Sequence, residues 1–202
     1  MASIATYRTP QDFLDMVMMS DGDVLTGLHF VDSRKVAENR CSCTVRGMPV
    51  FRETRRWLDE YFSGREPGFM PQYRIDGLTP FRKDVIDAML RIPFGKTVTY
   101  GDIAETIAKK RGLTKMSAQA VGGAVGWNPI CIIIPCHRVI GANGALVGYG
   151  GGIKNKAALL EHEKRIDRIK KEAYEKGYHI CRSCGGGDGR GGGGASGAGS
   201  GA

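Results

Sequence analysis

The stretch Asn128-Pro129-Ile130-Cys131-Ile132-Ile133-Ile134-Pro135-Cys136-His137-Arg138-Val139 decides how this chain is read. Its β-branched run, Ile130 to Ile134, lies between two prolines and has the length of a short buried strand. Pro135 then sets Cys136 and His137 side by side. A cysteine is a nucleophile as the thiolate, which needs a base or a positive charge nearby. Adjacent side chains on an extended backbone point to opposite sides. His137 therefore serves Cys136 only through a bound water or after a tight turn. By itself a Cys-His pair is more often a buried structural cysteine beside a surface histidine.

Downstream, Asn143-Gly144 marks a tight turn, Tyr149-Gly150-Gly151-Gly152 a flexible loop, and Ile153 to about Glu163 a helix with Leu159 and Leu160 inward. Upstream, Thr79-Pro80 is a helix cap followed by proline at the first helical position. Phe81, Val85, Met89 and Leu90 form that helix's buried stripe, and Pro93-Phe94-Gly95 stops it. Thr99 caps a second helix, with Asp102 completing a variant capping box and Ile103, Ala104, Ile107 and Ala108 inward. A basic connector (Lys109, Lys110, Arg111, Gly112, Lys115) leads to a third helix, Ser117 to Val125. Two short helices joined in this way read as a helix-turn-helix.

The N-terminal part reads as a small α+β unit. Met16, Met18, the Asp21-Gly22 turn and Val24 to Phe30 form a hairpin. Pro49 opens a helix whose apolar face is Val50, Thr54, Trp57, Leu58, Tyr61 and Phe62, ended by Gly64. The fold class is thus α/β of the α+β kind, with no internal repeats. Three regions are expected: an N-terminal domain with its connector (1–76), a mainly helical domain carrying the helix-turn-helix and Cys136 (77–166), and a charged helix with a Gly-rich tail (167–202). Ile166, Ile169 and Ala173 give that last helix its spacing. After Cys184 the chain is nearly all Gly, Ala and Ser, a composition that buries too little apolar surface to fold, whether natural tail or added linker.

With 202 residues the chain can bury a real core. A net charge of +8 favours a polyanionic partner, nucleic acid before a membrane surface. No run of ~18 apolar residues is present to span a membrane, and Met1-Ala2-Ser3-Ile4-Ala5-Thr6-Tyr7 lacks the basic and apolar regions expected of a signal peptide. The six cysteines are accordingly expected as reduced thiols in the cytoplasm. Cys181 and Cys184, with His179, give half of a zinc spacing, and Cys41 and Cys43 could add thiolates. A structural zinc site wants four ligands in paired motifs, so no metal and no cofactor is assigned.

Four blocks carry a resemblance. The 128–139 segment, the lead-in Ala120-Val121-Gly122-Gly123-Ala124, the turn Pro93-Phe94-Gly95-Lys96-Thr97-Val98-Thr99-Tyr100, and Tyr149 to Glu163 with its Leu159-Leu160-Glu161-His162-Glu163 ending resemble O6-alkylguanine-DNA alkyltransferases. The likeness is strong from about Thr79 to Glu163 and only architectural before that. It implies direct DNA repair: a single, irreversible transfer of an alkyl group from O6-alkylguanine, with O4-alkylthymine as a further substrate, onto Cys136. In this scheme His137 deprotonates Cys136 through a water, Glu163 orients His137, Tyr100 donates a proton to the departing guanine, and Asn128 braces the turn. Val139, Tyr149, Gly150, Cys131 and Lys156 would form the base pocket. Lys115, Ser117, Gln119, Ala120, Gly122, Gly123 and Arg138 would meet DNA, with the 117–125 helix in the minor groove and the base flipped out. Small residues suit such a helix, because they permit close approach to a narrow groove.

The resemblance also implies a monomer acting on alkylated double-stranded DNA. Two positions depart from the family pattern. Gln119 stands where many members carry an arginine finger, and Cys131 stands at a pocket position where some carry proline. The alternative is a non-catalytic sensor of alkylated bases, but such proteins lack the reactive cysteine that is retained here beside His137, Tyr100 and Glu163. Thiol-protease chemistry would need a peptide cleft and an oxyanion hole, and the sequence displays neither.

Overall fold

The computed structural model describes residues 3–31 and 47–175. Met1–Arg168 forms one compact unit and Ile169–Ala202 a second. Within the first, three antiparallel strands, β1 (Ser3–Tyr7), β2 (Met16–Ser20) and β3 (Leu25–Phe30), lie in the order β1-β2-β3. Met16, Met18 and Ser20 point inward and Val17 and Met19 outward, the two-residue period of a sheet buried on one face. The expected hairpin is present. Gly22, at φ 126°, makes its turn, and Asp21 Oδ1 accepts from the amides of Asp23 and Val24. β1 was not anticipated, because Ser-Ile-Ala-Thr-Tyr is too short and too mixed to declare itself without its partner.

Helix α1 (Pro49–Phe62) covers the sheet with Val50, Phe51, Thr54, Trp57, Leu58 and Tyr61. Phe51 was missing from the expected face, and Phe62 is only partly buried. The next three helices are α2 (Pro80–Leu90), α3 (Tyr100–Arg111) and α4 (Ala118–Gly126). Thr79 caps α2 by accepting from the amide of Arg82. Thr99 and Asp102 form the expected capping box on α3, Gly112 closes it at φ 66°, and Ser117 caps α4. The buried stripe of α2 is Val85, Ile86 and Met89, while Leu90 is exposed and Phe81 partly buried.

The run Ile130 to Ile134 is not a strand. Only Ile130 pairs, in an isolated bridge to Leu28 on the edge of β3, and Cys131 bridges back to Ile134. Between them Ile132 sits at φ 68°, a left-handed conformation that strains a β-branched residue by roughly 1–3 kcal/mol. The apolar run is buried because it is a tight turn packed into the core, which sequence periodicity cannot tell from a strand.

Cys136–Arg138 forms a 3-10 turn, followed by β5 (Val139–Ile140), which pairs in parallel with β4 (Val98–Thr99). This short ladder places the start of α3 beside the cysteine turn. A second 3-10 turn at Ala142–Gly144 has Asn143 and Gly144 at φ 57° and 80°, the tight turn expected there. Helix α5 runs over Ile153–Glu175, with Leu159, Leu160 and Ile166 buried and Ile169 exposed. The side chain of Ala173, the Gly-rich tail, Cys41, Cys43, His179, Cys181 and Cys184 lie outside the described residues. One apolar cluster runs from the sheet through α1 to Ile130, Ile134, Val139, Leu159 and Ile166.

Candidate active site

Asn128 is the hub of the cysteine turn. Its side-chain oxygen accepts from Ile130 N at 3.0 Å. Its amide nitrogen lies 3.2 Å from Ile130 O, 3.0 Å from Ile134 O and 3.0 Å from Cys136 Sγ. A buried amide used in this way fixes the loop that periodicity misread and also donates to the sulfur.

Cys136 is 4% exposed. A hydrogen bond from the Cys131 thiol lowers the Cys136 pKa most; burial opposes this, and the Asn128 amide and the Lys156 charge lower it further, with a net fall below the ordinary thiol value. Cys131, expected as a pocket wall, is thus a direct partner of the sulfur.

His137 is fully buried. Its Nε2 lies 2.8 Å from Glu163 Oε1, so Nε2 carries the proton and donates to the carboxylate. Nδ1 is buried with no partner among the described residues. Burial pulls the His137 pKa down, the Glu163 interaction pushes it up, and the Arg138 and Lys156 charges oppose protonation, so the net direction is downward. A neutral imidazole with an open Nδ1 is a ready base.

Glu163 is held from several sides. Oε1 also accepts from Tyr61 OH at 2.9 Å and Arg138 Nη2 at 3.0 Å, and Oε2 from Gly95 N at 2.9 Å and Arg138 Nε at 2.9 Å. Burial alone would raise its pKa, but His137 and Arg138 outweigh burial and hold the carboxyl well below the usual range. Arg138, expected against DNA, instead turns inward to Glu163 and to Ile92 O at 2.7 Å, and its side chain is 12% exposed. The 3-10 turn rotates it into the core, where a charged group stays only when paired.

The loop expected to wall the base pocket is tied down by side-chain hydrogen bonds. Lys156, fully buried, donates to Val139 O at 2.7 Å and Val147 O at 2.8 Å. Tyr100 OH donates to the Val147 and Gly148 carbonyls at 3.1 and 3.3 Å. The Val139 amide is engaged by Cys136 O. Tyr149 packs edge-on to Phe30, and its hydroxyl is buried without a partner. Burial raises its pKa well above the ordinary value, and the nearby thiols Cys131 and Cys136 add to this. Any Cβ at Gly151 would lie 2.5 Å from Phe30 Cδ2, so only glycine fits between these rings. Gly150 is exposed beside them.

At α4, the cap Ser117 and Gln119, Ala120 and Gly123 are exposed, Gly122 is half-buried, and Lys115 is exposed just before the helix. An open depression of about 420 Å³ beside them is lined by Thr79, Phe81, Arg82, Ala120, Gly123 and Ala124. Arg82 lies over the Trp127 ring at 4.0 Å. Of the basic connector, Lys109 pairs with Glu105, and Lys110 and Arg111 both pair with Asp84.

Sequence reasoning missed Tyr61 and Gly95 as partners of Glu163; it placed the Cys131 thiol near Cys136 but not in hydrogen-bond contact with it. Tyr61 reads simply as one more residue of α1's apolar face. Nothing local marks its hydroxyl.

Among the described residues, no group of three or more His, Cys, Asp or Glu could hold a metal, and no helix is long and apolar enough to cross a membrane.

A cysteine made acidic by its neighbours, a Glu-His pair behind it and a small-residue helix beside it define a cysteine-nucleophile enzyme with a helical nucleic-acid-binding module. The family description "6-O-methylguanine DNA methyltransferase, DNA binding domain" matches residues 80–165. The methylated-DNA--protein-cysteine methyltransferase of Mycobacterium leprae is 42% identical over 149 residues, covering 74% of this chain and 86% of that protein. The protein of the same name from Methanosarcina acetivorans is 40% identical over 148 residues, covering 73% of this chain and 90% of that protein. The crystal structure of Mycobacterium tuberculosis O6-methylguanine methyltransferase superposes with a TM-score of 0.69 at 39% identity, covering 82% of this chain and 94% of that one. A structure of the M. tuberculosis protein in complex with DNA gives 0.68 at 38% identity, covering 81% and 94%. The chain belongs to the methylated-DNA–protein-cysteine methyltransferase family and is an enzyme of that class, acting in DNA repair by alkyl transfer.

Proposed function

We propose that Cys136 accepts the alkyl group from O6 of alkylated guanine in duplex DNA, once per molecule and irreversibly. The observation that carries this is the arrangement at His137, where Nε2 is committed to Glu163 and Nδ1 is buried without a partner among the described residues, next in sequence to a thiol of lowered pKa. His137 Nδ1 takes the thiol proton through a water. The thiolate attacks the alkyl carbon, a C–S bond forms and the C–O6 bond breaks, and the guanine leaves with a proton from Tyr100. Glu163 orients His137 and stabilises the imidazolium without taking its proton. O4-alkylthymine is a further substrate of the same chemistry.

A thiol this deeply buried requires the base to leave the stack. The exposed small residues of α4 suit close approach to a minor groove, and Lys115 supplies a phosphate contact. The family resemblance supports a monomer. It needs no cofactor, and its substrate places it inside the cell, in the cytoplasm or nucleoid. The pocket is walled by Tyr149, Gly150, Val139 and Lys156.

The test is intact mass after incubation with a methylated oligonucleotide, followed by peptide mapping. One added methyl on Cys136 is the expected result. Binding without any mass gain would favour the sensor reading instead.

A further inference from the structure

We propose that Tyr61, on the N-terminal helix α1, is a positioning residue of the relay: its hydroxyl sets how strongly Glu163 holds His137. This rests on the relay proposed above. Tyr61 donates to Glu163 Oε1 at 2.9 Å, the same oxygen that accepts His137 Nε2 at 2.8 Å. With Arg138 Nη2 also on this oxygen at 3.0 Å, the donors share its electron density, so each bond is weaker than it would be alone. With the Tyr61 bond present, Glu163 stays an ionised, fully hydrogen-bonded anion that attracts the imidazolium less strongly. His137 is then kept neutral and able to accept a proton.

The ring is held for this purpose. Tyr61 is 1% exposed, stacks on Trp57 at 5.5 Å and 9°, and meets Phe94 edge-on at 5.9 Å. Its own backbone carbonyl accepts from His162 Nε2 at 3.0 Å, one residue before Glu163. The tyrosine is thus fixed against the helix that carries the carboxylate. Burial first, and then the Glu163 charge, push its own pKa well above the ordinary value, so it remains a donor throughout the working range. Among the described residues, the groups facing Glu163 and His137 are Tyr61, Gly95, Arg138, Lys156 and the buried hydroxyl of Tyr149, and of the neutral side chains it is Tyr61 that hydrogen-bonds the carboxylate.

Removing the hydroxyl leaves three donors on Glu163 and strengthens the bond to His137. Its pKa then rises, and more of the protein holds the unreactive imidazolium at low pH. The test uses the full chain with Tyr61→Phe. His137 is titrated by NMR without substrate, and single-turnover methyl transfer from an oligonucleotide is followed across pH. The expected result is an upward movement of the His137 titration. The acid limb of the rate profile should move with it, with about threefold less rate near pH 6 and a plateau kept within about twofold. Tyr7→Phe is the control, because it removes a similar tyrosine–carboxylate bond, to Asp59 at 2.8 Å, on the same helix. It should move neither curve.

A site-specific 3-fluorotyrosine at 61, a stronger donor, should move both curves the other way and serves if Tyr61→Phe does not fold. An unmoved His137 titration in the folded variants overturns the inference, as does a uniform loss of rate at all pH values. Because the titration needs no transfer, it separates failure here from failure of the relay itself.

Discussion

Around Glu163 both carboxylate oxygens are occupied, by Tyr61, Gly95, His137 and Arg138, and the carboxylate and imidazole are sealed from solvent. On α4 the reverse holds: Ser117, Gln119, Ala120 and Gly123 face outward over an open depression. In the proposed relay the carboxylate and the imidazole are held in place before substrate arrives, which limits reorganisation during reaction. The α4 face is unfinished until a partner completes it. Perturbing the relay should therefore change rate and pH dependence, whereas perturbing the helix face should change binding and its salt dependence.

The largest expected effect breaks the relay at its end. Cys136→Ala should abolish methyl transfer while DNA binding, measured by fluorescence anisotropy, remains. Methyl label appearing on Cys131 in that variant would overturn the assignment. Glu163→Gln comes next. Single-turnover rates should fall by ~10²-fold or more, because the imidazole loses its orienting anion. Stability should also fall, by roughly 3 kcal/mol, since Arg138 is left as a nearly buried unpaired cation. Rates must therefore be taken at a temperature where circular dichroism reports a folded protein, and a rate held within a few-fold there would contradict the relay.

Cys131→Ala probes the sulfur partner. Losing the thiol donor should raise the Cys136 pKa, so its reaction with iodoacetamide, followed by peptide mapping, should shift to higher pH and slow near neutrality. An unchanged profile would mean that Asn128 and Lys156 suffice.

The helix face gives smaller, different effects. Gln119 is exposed at the second position of α4. An arginine there can reach an orphaned base and nearby phosphates, offsetting part of the few kcal/mol that extrusion costs. Gln119→Arg should speed repair of methylguanine in duplex DNA and leave reaction with the free base nearly unchanged. An equal gain on both substrates would point to the pocket rather than to flipping. The smallest effect sorts the cations. Lys115→Ala should lower the slope of log affinity against log salt by about 1, whereas Lys109→Ala or Lys110→Ala should lower it less, because those lysines already pair with Glu105 and Asp84. Equal slopes for all three would show that DNA strips these intramolecular pairs.

Much of the site was legible in the sequence because its markers are local. The Thr99–Asp102 capping box, the Ser117 cap, the Asn143-Gly144 turn and the Pro135-Cys136-His137 juncture each announce themselves within a few residues. Arg138 was read outward because one-dimensional spacing cannot say which way a 3-10 turn rotates its third side chain. Ile130 to Ile134 was read as a strand because burial and β-branching look the same in a strand and in a packed turn.

By itself the sequence determined the helices, their caps and the family, and it supplied the candidate nucleophile and base. These follow from neighbours in the chain, whose geometry is set by backbone sterics and short-range hydrogen bonds. Only the tertiary structure decided that Tyr61, over a hundred residues away, donates to Glu163, that Cys131 donates to Cys136, and that Asn128 holds Ile132 in a strained conformation. Each depends on burial, which removes water as a competing partner and drives most polar groups to find one within the protein. That pairing is a property of the packed core, and no window of sequence contains it.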